Sequence, residues 1–259
     1  MTVGENFERL VGIMHRLRAP GGCPWDAEQT HQSIKPYLVE EAYEVLEAID
    51  GDDTNELCGE LGDLLLQVVF HAEMAAETDR FAIADVIDAI CAKMVRRHPH
   101  VFGDTEVSGA AEVLQNWSKI KAEERKGSGD QSALAGVPQA MPALLRAHRV
   151  DEKASNAGFD WTDISGVVAK LHEELSELET AMRDEGPERV SEELGDLLFA
   201  ATSLARHLGI RAEDALSGAT DRFSDRYRIM EELLENRGQE MAALTETEKN
   251  ALWEEAKSR

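Results

Sequence analysis

Glu40-Glu41-Ala42-Tyr43-Glu44, answered by Glu60-Leu61-Gly62-Asp63, returns later in the chain as Glu173-Glu174-Leu175-Ser176-Glu177 and Glu193-Leu194-Gly195-Asp196. In each copy the second glutamate of the doublet precedes the first residue of the tetrad by nineteen positions, 41 to 60 and 174 to 193, so the copies stand in register at an offset of 133. Glutamates three apart share one helix face. From Glu44 the chain rises about six residues to Asp50, turns, and descends about six to Glu60, which sets the tetrad beside the doublet in an antiparallel helical hairpin. Gly186-Pro187 makes the equivalent break in the second copy, with proline suited to the first turn of the next helix.

Glu41, Glu44, Glu60 and Asp63 are therefore expected to converge, and so are Glu174, Glu177, Glu193 and Asp196. One acidic helix face is ordinarily a solvated surface, but two copies at equal spacing argue for a site. Carboxylates gathered at one height repel, and they are either held neutral or neutralised by a hard cation; Mg²⁺ is the natural guest and Mn²⁺ the substitute. Gly62 and Gly195 sit inside these helices, where glycine costs about 1 kcal/mol relative to alanine, so close approach of another group is expected at both.

Around the motifs, apolar residues fall at helical spacing. Phe7, Leu10, Val11, Met14 and Leu17 mark an opening helix over residues 6–17, and Trp25, after the Ala19-to-Pro24 break, reads as a core plug. Further helices are predicted over 36–49, from 54 through an apolar stripe of Leu61, Leu64, Leu65, Val68, Val69 and Ala72, and over 83–95. His98-Pro99-His100 reads as a turn. Residues 126–141, rich in Gly, Ser and Pro, read as a linker between a module at 1–125 and another at 142–259. The fold expected is all-α, two tandem helical-bundle modules.

The halves differ in their cations. Lys170 precedes Glu174 by one helical turn, whereas the matching first-half position is Tyr37. Arg222 and Arg226 align with Lys93 and Arg97, and Trp253 with Lys257 repeats the spacing of Trp117 and Lys121. Lys170, Arg189, Arg222, Arg226, Trp253 and Lys257 are the candidate nucleotide contacts, since cations suit phosphate and an aromatic face suits any base.

The chain has 259 residues, 42% apolar, 30% charged and 5% aromatic, a balance suited to a helical protein. Its net charge of −24 repels nucleic acid polymers and anionic membranes, neither of which is an expected partner. Three scattered cysteines form neither a disulfide framework nor a zinc pattern, and no apolar run suggests a leader or a membrane span, so the expected location is the cytoplasm.

The paired acidic motifs, with Gly21 to Asp26, Arg96 to Phe102 and Gly158 to Trp161, resemble the MazG family of all-α nucleoside triphosphate pyrophosphohydrolases across nearly the whole chain. The resemblance implies Mg²⁺-dependent cleavage of NTPs and dNTPs to the monophosphate and pyrophosphate, with little base selectivity, on a bundle completed as a homodimer. It implies metal ligands at Glu174, Glu177, Glu193 and Asp196, and at Glu41, Glu44, Glu60 and Asp63, with the second half as the principal catalytic one. Glu173 joins the second-half acids as a candidate proton acceptor. Two other readings are a di-iron oxidase, disfavoured because neither tetrad supplies Glu-x-x-His, and a nucleotide-binding scaffold without turnover.

Overall fold

A computed structural model describes residues 1–51, 53–125 and 132–258, and among these every regular element is helical. Two compact units result, Met1–Lys121 and Ala122–Arg259. The first holds α1 (Val3–Arg18), α2 (Pro24–Glu28), α3 (Lys35–Asp50), α4 (Thr54–Ala76), α5 (Ile83–Arg97), α6 (Pro99–Phe102) and most of α7 (Ala110–Arg125). The second holds α8 (Ala143–Asn156), α9 (Ile164–Asp184), α10 (Pro187–His207), α11 (Ala212–Arg237) and α12 (Glu246–Lys257). His98-Pro99-His100 does not simply end α5: Pro99 opens the short helix α6, and His98 Nδ1 lies 2.7 Å from the Met94 carbonyl oxygen.

Each motif pair lies on a hairpin, α3 with α4 and α9 with α10. Local chemistry sets the ends. The Asp53 carboxylate accepts from the backbone N–H groups of Asn55 and Glu56 at the start of α4, and Asp163 does the same for Ser165 and Gly166 at the start of α9. In the first unit Met14, Ile34, Val69, Phe70 and Met74 form the core that joins α1 to α4. In the second, Met230, Leu233, Leu234, Leu252 and Ala256 join α11 to α12.

Three sequence expectations need correction. Trp25 does not plug the core: it is 51% exposed and meets Tyr37 edge-on at 6.2 Å, because it lies in the five-residue α2 rather than beneath a long helix. The apolar stripe of α4 is divided, with Val69 and Ala72 buried but Leu61, Leu65 and Val68 facing outward, as Leu194 and Leu198 do on α10. At Gly62 and Gly195 a Cβ would meet nothing within 4 Å, so none of the described residues makes the close approach expected there. Of the expected linker, 126–131 lies outside the described residues. Beyond it Ala135 is buried, and its carbonyl accepts from Lys153 Nζ at 2.7 Å, so that part is packed onto the second unit.

One polar junction fastens the second unit. Arg206 on α10 donates from Nε to Asp151 on α8 at 2.6 Å and from both Nη atoms to Asp160 at 2.6 and 3.0 Å. Asp160 also accepts from Ser155 Oγ and from the Trp161 backbone N–H, so one carboxylate ties the turn before α9 to α8 and α10. The Arg206 guanidinium, helped by these other donors, holds the Asp160 carboxyl far below its usual range against the opposing effect of burial.

A depressed carboxyl contributes stability that is fully present above its unfolded value and is lost as the pH falls from there toward its folded one. Asp160→Asn is therefore expected to lower stability at neutral pH by about 1–2 kcal/mol. In thermal melts taken across pH, the gap to the wild-type chain narrows once the pH drops below about 4. Gly195→Ala, placed in open space within a helix, is expected to raise the melting temperature by the equivalent of about 0.5–1 kcal/mol; a lower one would reveal a neighbour outside the chain.

Candidate metal and nucleotide site

In the second unit the α9–α10 hairpin brings carboxylate oxygens of Glu174, Glu193 and Asp196 within 4.8 Å of one another. Glu173, Glu174 and Glu177 form an overlapping trio on α9, with Glu174 common to both. Glu174 is only 5% exposed and Glu193 only 2%, unusual values for acids. In the first unit Glu41, Glu60 and Asp63 make the corresponding trio; Glu44 stands beside it, where its charge helps to raise both the Glu41 and the Glu60 carboxyl.

Burial pushes the Glu193 carboxyl upward, Arg189 opposes this, and the negative charges of Glu177, Glu174 and Asp196 add to it. Burial is the leading cause at Glu41 and Glu60 as well. Cations border the second-unit acids. Lys170 Nζ lies 2.6 Å from Glu174 and 2.7 Å from Glu173, bonds that raise its pKa, and Arg189 pairs with Glu192 at 2.9 Å and with Glu193. A donor set made wholly of carboxylate oxygens fits a hard divalent cation rather than a soft one.

A cavity of about 480 Å³ opens beside these acids. Lys170, Glu174 and Asp196 line one part; Phe159, Trp161, Val167, Phe199, Ala200 and Ser203 line much of the rest. The Asp160 junction anchors the turn that carries Phe159 and Trp161. Gly166 admits the indole, since a Cβ there would stand 2.6 Å from Trp161 Cε3. An aromatic-walled cavity that also receives a few charged groups is an ordinary setting for a small ligand with a flat apolar part.

Of the predicted site residues, the geometry gathers Glu173, Glu174, Glu177, Glu193, Asp196, Lys170 and Arg189. Arg222, Arg226, Trp253 and Lys257 do not line this cavity. They belong to α11 and α12, where the Arg226 guanidinium stands 5.7 Å from the Trp253 ring centre, Phe223 packs on the same ring at 5.2 Å, and Lys257 pairs with Glu254. Sequence reasoning missed Phe159, Trp161, Phe199, Ala200 and Ser203 as lining residues. The last three follow Asp196 at three, four and seven positions, helical spacing that puts them on the face of Asp196, so a signal was present.

The model of the MazG nucleotide pyrophosphohydrolase domain matches residues 29–102 and again 163–230, bracketing both hairpin motifs. Among curated proteins, the chain is 47% identical over 258 residues to the nucleoside triphosphate pyrophosphohydrolase of Escherichia coli K12, covering 98% of this chain and 97% of that one. It is also 47% identical to the Thermotoga maritima nucleoside triphosphate pyrophosphohydrolase/pyrophosphatase MazG, over 98% and 96% of the two chains. Against the Bacillus subtilis protein YabN it is 44% identical, covering 98% of this chain but 52% of that longer one. Two domain matches, near-complete coverage and two acid hairpins in register lead to one assignment: the chain belongs to the MazG nucleotide pyrophosphohydrolase family.

Proposed function

We propose that the second unit hydrolyses nucleoside and deoxynucleoside triphosphates to the monophosphate and pyrophosphate, in the presence of Mg²⁺ or Mn²⁺, with broad tolerance of the base. The observation that carries this reading is the Glu174–Glu193–Asp196 trio, with Glu174 and Glu193 buried, sharing Glu174 and Asp196 with a 480 Å³ aromatic-walled cavity. Glu174, Glu177, Glu193 and Asp196 hold the cation. Bound there, it supplies charge neutralisation for the triphosphate and acidifies water.

The chain's own side chains do the remainder. Lys170 and Arg189, at the border of the acids, meet phosphate charge and stabilise it as the leaving pyrophosphate departs. Water's oxygen bonds to one phosphorus of the α–β anhydride while that same phosphorus loses its bond to the bridging oxygen, which leaves with the other phosphoryl group. The water proton passes to a carboxylate, for which Glu173, exposed and outside the Glu174–Glu193–Asp196 trio, is well placed. The nucleoside lies in the cavity against Trp161 and Phe199, whose faces accept any base.

Two chains act as a homodimer. Leu175, Met182, Leu194 and Leu198 expose a large apolar surface on the hairpin, which a second copy would cover. In that pairing Arg222, Arg226, Trp253 and Lys257 serve the outer end of the nucleotide. Such broad hydrolysis suits housecleaning of the nucleotide pool in the cytoplasm; the three cysteines are free, and no described helix is long and apolar enough to cross a membrane.

Incubation with dATP or GTP and Mg²⁺ is expected to give monophosphate and pyrophosphate on ion-exchange chromatography, with no product in EDTA. Glu174→Gln and Asp196→Asn each lower kcat by about 100-fold or more, and Lys170→Met by about 10–100-fold, for loss of charge stabilisation. Diphosphate plus phosphate would move the cleaved bond, and unaltered turnover in Glu174→Gln would remove the site. Sedimentation is expected to find two chains, and Leu194→Glu with Leu198→Glu to give one.

A further inference from the structure

At the offset of 133 the cavity-lining Ala200 and Ser203 match Gln67 and Phe70 on α4, and Lys170 matches Tyr37 on α3. Three of the residues that open or charge the second-unit cavity are thus replaced by larger or uncharged ones in the first. Gln67 is 7% exposed and Phe70 4%, so both side chains fill protein volume, Phe70 within the α1–α4 core. Gln67 Nε2 donates to Glu41 Oε1 at 3.3 Å, taking the place at the acid that Lys170 holds at Glu174. Its own Oε1 is buried with no donor among the described residues. Tyr37, for its part, is taken up by Trp25.

We infer that Gln67, backed by Phe70, is a plug that closes the first-unit acid cluster to nucleotides: the amide stands where the second unit leaves room for a nucleoside. The consequence is one nucleotide site per chain, in the second unit, although both carry their acids. The inference rests on the reading of the second-unit cavity as the nucleoside site. Volume is the operative property, so methionine at 67 keeps the plug and alanine removes it.

Equilibrium dialysis of the full chain with Mg²⁺ and α,β-methylene-dATP, which resists cleavage at the α–β bridge, counts the sites. The wild-type chain is expected to bind one analogue, Gln67→Met one, and Gln67→Ala two. Ala200→Gln, which builds the plug into the second unit, is expected to raise the Kd at least tenfold while Mn²⁺ binding without nucleotide is kept. Two analogues on the wild-type chain, one on Gln67→Ala, or an unchanged Kd in Ala200→Gln each overturns the inference. A wild-type chain that binds none yet releases pyrophosphate from dATP overturns it while the proposed function stands; neither binding nor release removes both. Should Gln67→Ala not fold, the wild-type count and Ala200→Gln decide.

Discussion

Like charges held close together govern this molecule. Three carboxylates whose oxygens approach within 4.8 Å, two of them on nearly buried side chains, would drive the α9 and α10 helices apart if left fully ionised and uncompensated. The hairpin tolerates them because Lys170 and Arg189 stand one helical turn before the acids they neutralise. These pairs are local, helix-internal and partly exposed, so they are readily exchanged for other counter-charges. A site assembled from mutual repulsion and loosely held cations suits a compact divalent ion.

Rigid support sits where charge is not exchanged. The Arg206 junction uses a bidentate guanidinium–carboxylate pair together with a second carboxylate, and both carboxylates line the same cavity as Glu174 and Asp196. It sets the turn that presents Phe159 and Trp161. Thus the second unit separates two electrostatic tasks, anchoring the turn of Phe159 and Trp161 through a closed ion-pair network and leaving the acid trio compensated only by partly exposed cations.

The hairpins were legible in the sequence because they depend on periodicity and turn chemistry alone: acids three apart, Gly186-Pro187 between helices, and an offset common to both halves. The acid trios followed from the same spacing. Trp25 was misread because nothing local announces that its helix stops after five residues. Gly62 and Gly195 were read as close approaches, yet among the described residues nothing stands within 4 Å of either Cβ position. Ala200 and Ser203 were overlooked because small residues on a helix carry no chemistry of their own; they define a site only by leaving space, which becomes visible when opposing walls are placed. The offset that aligns the acids also sets Gln67 and Phe70 opposite Ala200 and Ser203, but their importance lies in volume and needed the cavity to be seen.

The connection between α9 and α10 consists of Glu185 and Gly186, and that between α3 and α4 spans residues 51–53. Both hairpins therefore fix the acids by counting residues from a tight bend. One residue gained or lost within either arm turns everything beyond it by about 100° and carries one carboxylate off the shared face. Length change is tolerated when about one turn is added to each arm together, roughly seven residues in all, which restores both rotation and height. Relatives of this chain should accordingly vary their doublet-to-tetrad spacing in quantised steps or within the bend, and an alignment that ignores that arithmetic would misassign their ligands.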